Sequence, residues 1–114
     1  MVITDKSDKR LAHWYHKWNN QYFASELPVD TVLYWEPLTQ DDGETCPVYE
    51  IDFGKFAIKI DPATMGFPRY WKMTLLHEMA HLKLWPKHPK HQHGKVFEQE
   101  MVRLAQAGAF KNLW

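Results

Sequence analysis

Between Pro68 and Pro86 runs a stretch, Arg69 to Trp85, whose apolar residues fall on nearly every side of a helix: Tyr70, Trp71, Met73, Leu75, Leu76, Met79, Ala80, Leu82, Leu84 and Trp85. A helix apolar almost all round has no face to give to water, so it must lie inside the fold with other elements packed about it. Pro86 ends it, because proline lacks the amide hydrogen and its ring clashes with the preceding turn. In a chain of 114 residues one such helix occupies the centre. The remaining segments have to cover it.

They are of two kinds. From about Lys9 to Phe23, Leu11, Trp14, Tyr15, Trp18 and Tyr22 recur at three- and four-residue spacings, which predicts an amphipathic helix capped by Ser7 or Asp8 and followed by Leu27-Pro28. Thr31 to Glu36 alternates, with Leu33 and Trp35 on one side and Val32 and Tyr34 on the other. Asp41-Asp42-Gly43 is a turn signal, and Val48 to Phe53 alternates again through Tyr49, Ile51 and Phe53. Gly54-Lys55 then turns the chain into Phe56 to Ile60, where Phe56, Ile58 and Ile60 share a face. These segments predict a small antiparallel sheet of about three strands. Asp61 to Pro68, with two prolines and a glycine, connects it to the central helix. A last helix runs from about Lys95 to Ala107, turning Phe97, Met101, Leu104 and Ala105 inward and ending at Gly108. The order helix, sheet, helix, helix is α+β, in one domain over residues 1–114.

Composition excludes several classes of function. Fourteen basic residues balance fourteen acidic ones, so no global field draws the chain to nucleic acid or to a membrane. No apolar run approaches the roughly 18–20 residues that span a bilayer, and Met1 to Arg10 lacks the apolar centre of a secretion signal. The single cysteine, Cys46, forms no internal disulfide, which fits a reducing, cytoplasmic setting. A soluble monomer with no membrane partner is expected.

In the middle of the central helix stands His77-Glu78-Met79-Ala80-His81. Two histidines four residues apart project from one helical face, near enough for both imidazoles to reach one zinc ion. Glu78 lies beside His77 and one turn before His81, so its carboxylate can serve a water at the metal without being a ligand. This is the H-E-x-x-H arrangement of zinc peptidases. Charged and imidazole groups in a helix packed with Leu, Met and Trp are costly unless paired or metal-bound. A catalytic zinc takes three protein ligands and leaves a fourth position to water. The extension that adds a glycine and a third histidine after the motif is excluded, because Leu84 and Lys87 occupy those places. The remaining candidates are His88, His91, His93, Glu98 and Glu100. His93 abuts the last helix, where rigidity favours a ligand, but spacing alone does not choose among them.

The sequence resembles the SprT-like zinc metallopeptidase domain, the family of Spartan-type catalytic domains, over most of its length. Trp18-Asn19-Asn20-Gln21-Tyr22-Phe23 followed by Leu27-Pro28 looks like the family's opening helix. Thr74-Leu75-Leu76-His77-Glu78-Met79-Ala80-His81 looks like its active-site helix, and His93-Gly94-Lys95-Val96-Phe97 matches its His-Gly-x-x-Phe element. The resemblance implies a zincin-like fold, Zn²⁺ held by His77, His81 and His93, Glu78 as general base, and a protein or peptide substrate cut by an endopeptidase mechanism. Many members also carry a C-terminal zinc ribbon, which needs paired cysteines; with Cys46 alone, a domain without the ribbon is expected.

Other features have plainer readings. Residues 87–95, Lys-His-Pro-Lys-His-Gln-His-Gly-Lys, form a local basic patch that either meets nucleic-acid phosphates or is a solvated loop between ligands. The competing function is accordingly a nucleic-acid-associated binding module with a structural zinc and no turnover, which would have no use for Glu78. His13 and His16 on the first helix are read as surface or satisfied positions, and Cys46 as an inert thiol. Phe56 to Ile60 is either an exposed edge strand lining a cleft or an internal strand.

Overall fold

The computed structural model describes residues 7–38, 43–47, 56–85, 94–111 and 113. The described residues form three helices, α1 (Lys9–Tyr22), α2 (Pro68–Leu84) and α3 (Lys95–Gln106), and a three-stranded sheet of β1 (Val32–Trp35), β2 (Gly43–Pro47) and β3 (Phe56–Ile60). The class is α+β. Among the described residues no helix is long and apolar enough to cross a membrane.

The amphipathic pattern of α1 buries Leu11, Tyr15 and Trp18. Asp8 caps its start by accepting from the Leu11 amide at 2.9 Å. Its end is folded back by Asn19, buried among apolar neighbours. The Asn19 amide donates to the Leu27 carbonyl at 3.1 Å, and the Leu27 N–H donates to Asn19 Oδ1 at 3.0 Å. Ala24 and Ser25 take left-handed backbone angles in the turn between (φ 52° and 59°), and the paired amide bonds hold that turn closed. Tyr15 reaches across the same loop, its hydroxyl 2.6 Å from the Pro28 carbonyl and 3.0 Å from Thr31 Oγ1. Burial pushes the phenol pKa up. Burial likewise lowers that of His16, packed edge-on to Tyr15, so the two inward polar rings of α1 are structural.

The sheet is mixed, which corrects the antiparallel expectation. Its order is β1-β3-β2, with β1 parallel and β2 antiparallel to β3. Alternation tells which side chains share a face but not which way a neighbour runs, so the pattern at Thr31–Glu36 held no information on this point. Phe56–Ile60 is therefore the central strand, and the edge-strand reading is set aside. The expected strand at Val48–Phe53 and the Asp41-Asp42 turn lie outside the described residues. Gly43, expected in that turn, begins β2 instead.

The register lines up Leu33, Ile58 and Thr45 in one row and Trp35, Ile60 and Gly43 in the next. Directly paired residues point to the same face, and that face meets α2, where Trp35 stands edge-on to Trp71 at 5.8 Å. Pro47 closes β2 opposite Phe56, a place where an edge strand tolerates proline. Asp61 caps a single 3₁₀ turn, Pro62–Thr64, which redirects the chain into α2. Trp71, Leu75, Leu76, Met79, Ala80 and Leu82 of α2 are buried, as a central helix requires. β2 and β3 cover one side of it, and α1 and α3 pack against it elsewhere.

Candidate metal centre

The polar residues of the motif on α2 differ in burial. Glu78 and His81 are buried at 5% and 6% exposure, whereas the His77 side chain is 36% exposed. The helical spacing brings the two imidazoles together, with His77 Nε2 and His81 Nε2 3.0 Å apart. Glu78 Oε2 lies 3.9 Å from His77 Nε2. His77, Glu78 and His81 form a group that could hold a metal ion, their ligand atoms all within 4.8 Å of one another.

Two neighbours fix this arrangement. Phe97, in the first turn of α3, stacks on the His81 ring at 4.2 Å with an interplanar angle of 13° and meets the His77 ring edgewise at 4.9 Å. In the sequence Phe97 is an inward apolar anchor and the last residue of the His-Gly-x-x-Phe element. Its ring also holds both imidazoles. From the other side, Thr45 of β2 reaches Glu78, its hydroxyl 2.7 Å from Oε1 and 3.1 Å from the main-chain carbonyl of the same residue. Gly43, two residues earlier on the same face, lies so close that a Cβ there would stand 2.7 Å from Thr74 Cγ2 and 3.0 Å from Glu78 Cγ. Neither Thr45 nor Gly43 was legible as a site residue. A small polar residue on an unrecognised strand carries no motif.

The other candidates divide. His88, His91 and His93 lie outside the described residues, as does the basic patch except for Gly94 and Lys95, which begin α3. Glu98 is exposed in the first turn of α3 and takes no part in the cluster. Glu100 is buried and already engaged. Arg103 Nε and Nη2 donate to its two oxygens at 2.6 and 2.9 Å, and Lys83 Nζ donates at 3.0 Å. Burial alone would raise the Glu100 pKa, but the bonds from Arg103 and Lys83 outweigh it and hold the carboxyl below its ordinary value. The same contact raises that of Arg103. Glu100 therefore ties α3 to α2 through Lys83.

Among known families, the model of the SprT-like family matches residues 11–113. No curated protein matches the chain.

Proposed function

The chain belongs to the SprT-like family, and from that premise we propose that it is a zinc-dependent endopeptidase with a zincin-like active site. The observation that carries this reading is the buried Glu78 carboxylate beside two imidazole nitrogens only 3.0 Å apart. Two nitrogens each 2.0–2.1 Å from one tetrahedral zinc stand roughly 3.3 Å apart, so the pair needs a shift of only a few tenths of an ångström. Neutral imidazole suits zinc.

His77 and His81 would hold the ion from α2, and His93, two residues before the first residue of α3 in the sequence, would supply the third nitrogen. When bound, zinc supplies Lewis-acid polarisation of the scissile carbonyl and lowers the pKa of water to about 7. Glu78 takes the proton of the attacking water on its carboxylate and returns it to the departing amine. Its burial favours this work, since the carboxylate meets little competing solvent. The His77 side chain, 36% exposed, is the part of the cluster that solvent reaches, and a peptide would approach from there.

Glu78→Gln keeps size and polarity but cannot accept the proton. It should retain about one zinc per chain while cleavage of casein falls by roughly 10²–10⁴-fold. Casein digestion by this variant at the wild-type rate would refute the mechanism.

A further inference from the structure

Glu78 has two carboxylate oxygens, and the structure treats them differently. Oε1 accepts from the Thr45 hydroxyl at 2.7 Å, while Oε2 turns toward His77 Nε2, 3.9 Å away. The Thr45 oxygen also lies 3.1 Å from the Glu78 main-chain carbonyl, so one hydroxyl touches both ends of the residue it holds. A hydroxyl has a single proton. The shorter contact, to a charged acceptor, is the stronger of the two.

We infer that Thr45 is a positioning residue that commits Glu78 Oε1 to a structural hydrogen bond and thereby presents Oε2 as the oxygen that exchanges protons with water and leaving group. Three observations carry this. Thr45 is itself buried, so water does not compete for its hydroxyl. Its β-branched side chain has few rotamers, and its backbone is paired with Ile58 of the central strand, so the donor is fixed from two directions. Gly43 supplies the third. Two residues away on the same strand face, it lacks the Cβ that would come within 3.1 Å of Oε2 itself. β2 can therefore lie against α2 closely enough for Thr45 to reach its partner.

The hydrogen bond also sorts the oxygens chemically. The bond to Thr45 occupies one of the two lone pairs of Oε1, so a proton arriving there competes with a donor already in place. A proton arriving at Oε2 displaces nothing at Thr45. A glutamate side chain has several rotatable bonds, and the contact with Thr45 limits the orientations its carboxylate can take.

The inference rests on the peptidase function proposed above. Its test compares the wild type with Thr45→Val, which keeps the shape and deletes the hydroxyl, and Thr45→Ser, which keeps the hydroxyl. Each zinc-loaded protein is assayed for kcat, KM and bound metal on a fluorogenic peptide. Thr45→Val should lose about 10–100-fold in kcat, the usual effect of removing an outer partner of a metal site, with KM and zinc content unchanged, and Thr45→Ser should recover most of the loss. The second readout needs no turnover. Unfolding of the metal-free chain is followed for Thr45→Val, Glu78→Ala and the double variant. The hydroxyl should be worth about ten-fold or more in the folding equilibrium when Glu78 is present, and much less when it is absent. Wild-type kcat in Thr45→Val, an equal loss in Thr45→Ser, or additive unfolding effects would each overturn the positioning role and leave the peptidase function standing. A wild type that binds zinc and cleaves nothing overturns the function itself, and the positioning role with it.

Discussion

Phe97 offers the sharpest test of how the histidines are held, because it touches both of them and is not a ligand. Its ring is 6% exposed, stacked on His81 and edge-on to His77. Phe97→Leu keeps an apolar side chain in the slot but removes the two ring contacts. Each aromatic pair is worth about 0.5–1.5 kcal/mol beyond area burial, so the metal-free protein should lose roughly 1–3 kcal/mol. Phe97→Ala adds a cavity and should lose about 3–5 kcal/mol. Zinc affinity reports something separate: an imidazole free to turn must be ordered on binding, and Phe97→Leu should weaken the site by about 10–100-fold. Denaturant unfolding in excess chelator measures the first effect, and competition with a chromophoric chelator the second. If Phe97→Leu destabilises the fold yet binds zinc as tightly as wild type, the ring is core packing alone and its role at the site is wrong.

Three further outcomes follow from named contacts. Glu100 has a folded-state pKa below its ordinary 4.5, so its contribution to stability is full above that value and is lost as pH falls through the lower folded value. Glu100→Gln should cost about 1.5 kcal/mol at neutral pH, the low end for a charged hydrogen bond because Lys83 and Arg103 are partly exposed, and the difference should fade in acid; a pH-independent difference in denaturation midpoint would contradict it. Gly43→Ala should lower kcat by pushing β2 off Glu78, and adding Thr74→Ser should recover part of it by deleting the nearest clashing methyl; unchanged turnover in Gly43→Ala would show that the strand has slack. In dialysis against a graded chelator series, His93→Ala should release zinc far more readily than His91→Ala or Glu98→Ala, and greater fragility of either of those would mean a different third ligand.

The helices were legible because each has a periodic apolar face or, for α2, apolar residues all round. Predicted from Lys9, Arg69 and Lys95, they begin at Lys9, Pro68 and Lys95. β2 was not legible. Its inward residues are Gly43 and Thr45, small and polar because they lie over a carboxylate, so the apolar alternation that marks a strand is missing where the site needs it. Strand direction was hidden for a different reason. β1 pairs with β3 and not with the strand next in sequence, and only the three-dimensional path of the intervening chain decides that. At the metal centre, the His-Glu-x-x-His spacing gave the two imidazoles and the carboxylate, because helical geometry alone brings them together. The groups that fix them come from β2 and α3, distant in sequence, and Glu100 shows the converse: a carboxylate suited to metal by type that is already engaged by two cations.

The central claim is tested most directly by stoichiometric reconstitution. The full chain is stripped of metal, titrated with zinc, and assayed at each step for peptide cleavage. Cleavage absent from the stripped protein should rise linearly and level off at about one zinc per chain, as a single three-histidine site requires, and Glu78→Gln should bind the same equivalent without gaining activity. Cleavage by the stripped protein, or a wild type that takes up its zinc and hydrolyses no peptide bond, would contradict it.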